Sequence, residues 1–564
     1  MSSTARHIVE LLEAVGVARV FGYPGGRVIE VLEELAHSDI EVIRPRDERQ
    51  ASVMAECHGR LTGEPGVFMG QGPWVASLGA MGLMEAVLGS SPIVALTEAS
   101  ERGEFAPLAP YQQARGDYGG VDIAQMLDAI TKETWKPRRP IETITSLELA
   151  FKHATAGRPG PTAVVLDGNA VTEDVPDDPH PPLWSPGRRQ RRGHSVPDST
   201  AIDETVRALI EAERPVLIAG NGVHQSKAYD ALMTASETFG IPVVTSYLGK
   251  STIAETHPHA GGVIGSYGHE AANQLVSDAD CLLVVGTRLN PMDSNWLAPG
   301  FIDPDEQTIC HLDIDARNAG WVYPADIVLV GDAGAGLAAL AKQAPDEVDG
   351  EWAREVAAEA RTAAFDDPAR TSDDSPIRPE RAVADLQEAI DPETVVLADS
   401  GNNRFWLMSH LQTSRPGTYF GSGGVAGMGW SPPAAVAAAL AGFDAVSVAG
   451  DGGFTMTMTA VETAKEYGVS PTFVVLDDAG LGMVREIDPT IPGVDFAPTD
   501  LAEVSRALGA TATRVSDPQG LTQAYADALE ADGPSVVVVD IDPDIDAGEH
   551  LQSSFYRAVG GLHE

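Results

Sequence analysis

An α/β fold built from parallel sheets in several domains is what this sequence predicts, and three observations carry it. Short β-branched apolar runs alternate with helical patterns along nearly the whole chain. Glycine turns follow several of those runs, at Gly22-Tyr23-Pro24-Gly25-Gly26, Gly70-Gln71-Gly72-Pro73 and Gly450-Asp451-Gly452-Gly453. The length, 564 residues, exceeds what one hydrophobic core normally supports, so three domains are expected.

In chain order, residues 1–17 read as an amphipathic helix carrying acids rather than a signal peptide. The first domain is expected over residues 1–170, with strands at 17–21, 41–43, 66–69, 93–96 and 162–166. Residues 171–200, rich in proline and charge, read as a linker. Within it the cluster from Arg188 to Arg192 reads as solvated or paired inside the chain. The second domain, 201–345, carries strands at 216–219, 243–245, 281–285 and 311–314. Its Gly220-Asn221-Gly222 fits close strand–helix packing better than a nucleotide site. His257 and His259, with no third ligand nearby in sequence, read as ordinary surface residues. A helical connector at 346–375 leads to the third domain, 376–547, and residues 548–564 form a tail, a candidate cap over the site. The first and third domains share a similar layout, as duplicated modules do.

Composition narrows the function. With 82 acids against 38 bases the net charge is −44, which argues against nucleic acid as a partner, because phosphate contacts need basic surface. Three widely spaced cysteines, Cys57, Cys281 and Cys310, suggest neither a disulfide framework nor a zinc site. Apolar runs are alanine-rich or broken by Asp and Pro, so no membrane span is expected, and the reading is cytoplasmic. The spread of acids and the scarcity of lysine fit a salty cytoplasm, where screening relieves self-repulsion.

The chemistry centres on residues 445–485. An apolar strand, 445–449, stops at Gly450-Asp451-Gly452-Gly453, a helix is expected over 457–467, and a second strand, 472–476, ends at Asp477-Asp478-Ala479-Gly480. Ligands bind at such strand ends in open α/β sheets. Glycines let backbone N–H groups approach an anion. Two carboxylates facing that anion repel it unless a hard divalent cation lies between them, and Mg²⁺ is bound by one or two carboxylates plus phosphate oxygens. The alternative is an ordinary strand–glycine–helix turn with surface acids.

Gly450-Asp451-Gly452 followed by the acidic pair resembles the signature of thiamine diphosphate enzymes, in which a GDG precedes a pair of Asn. The resemblance implies that Asp451, Asp478 and the Gly480 carbonyl hold Mg²⁺. It implies three parallel-sheet α/β domains: pyrimidine-binding, middle Rossmann-like and diphosphate-binding. Arg46-Asp47-Glu48-Arg49-Gln50, Glu56 and Gly59-Arg60-Leu61-Thr62-Gly63 resemble the stretch that supplies the activating glutamate, so Glu48 is the implied general acid/base, against a plain salt-bridging role. Ser422-Gly423-Gly424-Val425-Ala426-Gly427-Met428-Gly429-Trp430 resembles the acetohydroxyacid synthase loop whose methionine wedges between the cofactor's two rings; Met428 takes that place, or else fills a core gap. The implied cofactor-binding set is Tyr23, Pro24, Gly25, Asn402, Asn403, Gly424, Met428, Gly450, Gly452, Gly453, Leu481 and Met483.

Across the chain the resemblance is to the acetolactate synthase large subunit, carried by Gly-Tyr-Pro-Gly-Gly, the methionine and Leu481-Gly482-Met483-Val484-Arg485. It implies decarboxylation of a 2-oxo acid such as pyruvate and coupling of the product to a second one. Arg485 either meets a substrate carboxylate or pairs with a neighbouring acid. It also implies a homodimer or dimer of dimers, and a small regulatory subunit. Four stretches depart from the pattern: Gln71-Gly72-Pro73-Trp74, Thr97-Glu98-Ala99, the acidic metal pair, and Leu289-Asn290-Pro291-Met292 where relatives that bind FAD carry Phe-Asp-Asp-Arg. Two alternatives stand beside this reading, another 2-oxo acid decarboxylase or carboligase on the same scaffold, and a non-catalytic cofactor-binding protein. Against a simple decarboxylase, the adjacent histidine pair of the pyruvate decarboxylase kind is missing.

Overall fold

The computed structural model describes residues 2–100, 103–109, 111–185, 187–190, 193–345 and 350–547. The expected tail, 548–564, lies outside the described residues. Three six-stranded sheets, parallel throughout, organise the chain. The first contains β1 (Arg19–Gly22), β2 (Glu41–Ile43), β3 (Gly66–Met69), β4 (Ile93–Ala99), β5 (Glu133–Trp135) and β6 (Pro161–Asp167), in the order β2-β1-β3-β4-β6-β5. The second contains β7 (Pro215–Ala219), β8 (Val243–Thr245), β9 (Ala260–Val263), β10 (Cys281–Val285), β11 (Thr308–Asp313) and β12 (Ile327–Val330), in the order β9-β8-β7-β10-β11-β12. The third contains β13 (Val395–Ala398), β14 (Tyr419–Gly421), β15 (Ala445–Gly450), β16 (Thr472–Asp477), β17 (Thr511–Val515) and β18 (Ser535–Asp540), in the order β14-β13-β15-β16-β18-β17. The first and third orders are the same permutation.

Central strands such as Ser535–Asp540 are buried almost end to end, which is why they read as continuous valine runs rather than alternating ones. In the first sheet Val20, Val67, Val94 and Val164 meet Ile8 and Leu12 of the N-terminal helix in one core. The middle sheet buries a separate core on each face. In each sheet the chain leaves its first strand to one side and returns to the other. The reversal falls between β1 and β3, β7 and β10, and β13 and β15, the points where ligands bind in open α/β sheets.

The chain divides into two compact units: residues 1–193, 422–442 and 457–469 form one, and 194–421, 443–456 and 470–564 the other.

Several expectations need correction. The helix foreseen over 457–467 is two helices, Asp451–Thr457 and Ala460–Glu466; the chain turns into helix directly at Asp451, whose acid suits a helix start. The expected linker begins within the first unit, where Asp174–Val175 pairs antiparallel with Ser2–Ser3. Arg189 is paired inside the chain, 2.7 Å from Glu148. His259 is not a surface residue: it is buried with Nδ1 2.9 Å from Ser236 Oγ, while His257 beside it is half-buried and pairs with exposed Glu237. The connector helix Glu351–Phe365 covers their loop, its Arg361 donating to the carbonyls of His257, Pro258 and Ala260.

Candidate functional site

At the reversal point of the third sheet the turns after β13 and β15 meet. Asn403 is buried, and its Nδ2 donates to Asp399 O at 3.0 Å and Val448 O at 3.2 Å, tying the two strand ends together. Asn402 donates from Nδ2 to Glu486 Oε1 at 2.6 Å, while its Oδ1 is buried and meets no hydrogen-bond partner among the described residues. Gly401 reaches Asn402 with φ 113, a conformation open to glycine. Gly450 ends β15, and Asp451, Gly452 and Gly453 form the first turn of the next helix.

Asp451 is 5% exposed, and its Oδ1 likewise meets no hydrogen-bond partner among the described residues. Burial pushes its carboxyl up to about 7, with Asp478 and then Asp477 adding to the rise while the N–H groups of Gly452 and Gly480 oppose it. Asp478, half-buried, is raised by burial too, against the pull of the Arg485 guanidinium. Asp478 and Asp477 thus add to the cost of ionising the buried Asp451, a cost that a cation beside them would lower.

Each member of the acid pair faces an arginine. Arg485 Nη2 donates to Asp478 O at 3.1 Å and lies 3.7 Å from Asp478 Oδ2, while its Nε is 3.2 Å from Asp495 Oδ1. Of the two roles read for Arg485, the structure therefore displays the pairing with neighbouring acids. Arg514 Nη2 sits 3.0 Å from Asp477 and 2.6 Å from Asp540. Between the pair and Gly480 the backbone passes through Ala479 at φ 54, a left-handed conformation that costs a non-glycine residue about 1–3 kcal/mol. A side chain at Gly482, in the turn carrying half-buried Leu481 and exposed Met483, would come within 2.3 Å of Asp478 Oδ2 and displace that carboxylate. A cleft of about 490 Å³ opens beside Asp451, with Thr455, Asp477, Phe496, Asp500 and Arg514 on its walls.

The corresponding reversal in the first sheet has a different character. Gly22 closes β1 so tightly that a side chain there would lie 2.1 Å from Met69 O. Tyr23 and Pro24 follow, exposed, and Gly25 faces the Gln71 side chain. Gly26, at φ 59, backs onto Glu98, whose Oε1 would lie 2.3 Å from a side-chain carbon there. Glu48 opens the helix Glu48–Thr62; Asp47 caps it, accepting from Gln50 N at 2.8 Å. Glu48 is 7% exposed, and a side chain at Gly70 would come within 3.6 Å of its Cγ. Burial raises its carboxyl; its own N–H opposes the rise and Asp47 adds to it. The loop with Gly424 and half-buried Met428 belongs to the same unit as Glu48.

The middle sheet's reversal is closed. Gly222 N–H donates to Gly286 O at 2.9 Å and Gly220 N–H to Val285 O at 2.8 Å. A side chain at Gly222 would lie 2.6 Å from Gly286 Cα. In the stretch that departs from the flavin pattern, Leu289 is buried and Asn290 Nδ2 donates to buried Asp293 at 2.7 Å.

Three site features escaped the sequence reading: Arg514, Glu486 and Glu85. Burial pushes Glu486 up to about 7. Glu85 had a usable signal, because it is the one acid on the apolar helix Ala80–Gly89.

Comparison with known proteins adds an independent line. Residues 2–124 match the N-terminal TPP binding domain of thiamine pyrophosphate enzymes, 202–340 the central domain and 399–539 the C-terminal TPP binding domain. A probable acetolactate synthase large subunit of Methanocaldococcus jannaschii is 32% identical, covering 96% of this chain and 92% of its own. The acetolactate synthase large subunit of Lactococcus lactis is 27% identical over 86% of this chain and 82% of its own, and the isozyme 3 large subunit of Escherichia coli 27% over 100% and 98%.

Proposed function

We propose, from the premise that this chain belongs to the thiamine pyrophosphate enzyme family, that it decarboxylates one 2-oxo acid, pyruvate, and joins the remaining two-carbon unit to a second, releasing acetolactate and CO₂. The observation that carries the reading is the Asp451 centre at the reversal of the third sheet, with its orphaned buried oxygen and the neighbouring Asp478. This donor set fits Mg²⁺, a hard cation that takes carboxylate, carbonyl and phosphate oxygens. Among the described residues no group of three or more His, Cys, Asp or Glu side chains is placed to hold a metal ion. Asp451 and Asp478 therefore rely on the Gly480 carbonyl and on diphosphate oxygens to complete the shell.

Thiamine diphosphate, when bound, supplies the electron sink that decarboxylation of a 2-oxo acid requires. The chain's residues hold and orient it. Asn402, Asn403, Gly450, Gly452 and Gly453 line the diphosphate end, with Leu481 and Met483 beside it, and Met428 with Gly424 shapes the gap between the rings. Glu48 would share a proton with the aminopyrimidine nitrogen of the bound cofactor, a role that its raised carboxyl suits. Tyr23, Pro24 and Gly25 form the turn on the reacting side. Arg485 leaves Asp495 to take a substrate carboxylate. By the family resemblance Glu48 and the diphosphate loop serve one site from different subunits, so the working form is a homodimer or dimer of dimers. The name "large subunit" of the relatives supports a small regulatory partner. The closed reversal of the middle sheet does not fit a dinucleotide pyrophosphate at that turn, and the proposed reaction uses no flavin step. Among the described residues no helix is long and apolar enough to cross a membrane; a cytoplasmic location is part of the proposed reading.

A second reading, a carboligase with another acceptor, is favoured by Glu98, which fills the back of the Gly26 turn. Product analysis with pyruvate, thiamine diphosphate and Mg²⁺ decides between them. Acetolactate is expected; acetaldehyde without acetolactate would overturn the first choice.

A further inference from the structure

The loop that carries Met428 is held by a buried ionic assembly that the proposed reaction does not use. Glu85 Oε1 accepts from Gly423 N at 3.1 Å and Gly424 N at 2.9 Å, and Oε2 from Val425 N at 2.9 Å and Ala426 N at 3.3 Å. Four successive amides thus converge on one carboxylate, the arrangement in which backbone nests bind anions. Behind it, Arg60 bridges Glu85 at 2.9 Å and Glu56 at 2.7 Å, all three side chains being at most 2% exposed. Glu56 in turn accepts from Trp430 Nε1 at 2.9 Å and from Ser91 Oγ at 2.6 Å. Met428 therefore lies between two anchors, residues 423–426 on Glu85 and Trp430 on Glu56, and Arg60 joins both. Thr457 Oγ1 adds a third hold, donating to Gly429 O at 3.0 Å.

The backbone bears the mark of this grip. Ala426 sits at φ 56, a left-handed conformation that a non-glycine residue keeps only where its surroundings over-determine it. At Gly424 a side chain would meet Glu85 O at 3.0 Å and Leu88 Cβ at 2.9 Å, so glycine lets the loop approach the helix. Burial works against ionisation of Glu85, yet the Arg60 guanidinium and the amides of Gly424 and Gly423 outweigh it and hold its carboxyl below the ordinary glutamate value. A buried ionic triad contributes little net stability compared with an apolar replacement, which points to a role in fixing one geometry.

We propose that Glu85 is a positioning residue for the cofactor: its carboxylate is a built-in anion around which residues 423–426 wrap, and it fixes the setting of Met428. This rests on the reading above that Met428 touches thiamine diphosphate.

The test is a double-mutant cycle read by calorimetric titration of thiamine diphosphate in excess Mg²⁺, with Glu85→Gln, Met428→Ala and the pair. Glutamine keeps the shape but offers one acceptor oxygen for four amides. Glu85→Gln is expected to weaken cofactor binding about tenfold with Met428 present and about twofold at most without it, with an unchanged circular dichroism spectrum. A general loosening of the fold would instead weaken both backgrounds by one factor, and that result, or unchanged binding in Glu85→Gln, overturns the proposal. Should Glu85→Gln fail to fold, Glu85→Asp keeps the charge on Arg60 but is too short to reach all four amides. It is expected to weaken binding about threefold, and wild-type affinity there overturns the proposal as well. The reaction is scored separately: wild type that binds cofactor but makes no acetolactate sinks the function reading and leaves the cycle intact.

Discussion

The first and third sheets have one strand order and two chemistries. In both, glycine turns close the strands that flank the reversal. In the third sheet a helix opens on Asp451 directly after β15, its buried carboxyl raised by burial and then by its acidic neighbours; in the first, the helix that follows the neighbouring strand β2 opens on Glu48, buried and raised by desolvation first. The middle sheet runs in a related order, but its reversal is shut by Gly222 against Gly286. A reversal point is thus a place where a ligand can bind; the residues on the turns decide whether one does, and which end of it is held.

The comparison predicts separable losses. Glu48→Gln should cut turnover by about 10² to 10⁴-fold while cofactor affinity stays within about threefold, measured by acetolactate formation and by calorimetry on one preparation. Asp451→Ala should do the reverse in kind, weakening Mg²⁺-dependent cofactor binding by about a hundredfold. If both variants lost binding equally, the division of labour between the sheets would be wrong.

Acidity sharpens the contrast. Asp451 titrates at about 7, raised by burial and by its acidic neighbours. Metal binding must displace that proton, so Mg²⁺ affinity should rise about tenfold from pH 6 to pH 8. The sign for folding runs the other way: the raised carboxyl's contribution is whole below its ordinary value of 3.8 and is lost as pH rises through about 7. Metal-free protein should therefore melt lower at pH 8 than at pH 6, and Mg²⁺ with the cofactor should remove the difference.

The closed reversal gives a smaller effect. Gly222→Ala forces a carbon within 2.6 Å of Gly286 Cα and should cost about 1–3 kcal/mol in denaturant unfolding, with cofactor affinity unchanged. The smallest effect separates surface acids from site acids. With a net charge of −44, unfolding midpoints should rise modestly from 0.1 to 1 M KCl as the Debye length falls from about 10 to about 3 Å, while the Asp451 proton stays near 7.

Much of the scaffold was legible because central strands are apolar runs ending in glycine turns: 41–43, 66–69, 243–245 and 281–285 fall on observed strands. The central valine run Ser535–Asp540 went unread, and so did strands that lie at edges or lack an apolar run. Glu133–Trp135 is partly exposed, Ala260–Val263 carries two glycines, and Tyr419–Gly421 has three residues. Asp451 could be named because a strand end and flanking glycines mark it, whereas Asp478 as a ligand and Glu48 as an acid/base came from the family resemblance. Arg514 and Glu486 could not be named, and Glu85, though marked as the lone acid of an apolar helix, showed no role, since these roles arise from contacts between residues far apart in sequence: Arg514 meets Asp477, and Glu85 meets the loop at 423–426. His259 misled for the same reason, being buried by a helix that begins at Glu351.

The most direct test of the account is a Mn²⁺ titration followed by electron paramagnetic resonance, with Mn²⁺ standing in for Mg²⁺. In wild type and Glu48→Gln, thiamine diphosphate should bring one tightly held Mn²⁺ per chain, and in Asp451→Ala it should not. Tight, cofactor-dependent Mn²⁺ surviving in Asp451→Ala would contradict the assignment of the metal to the reversal of the third sheet.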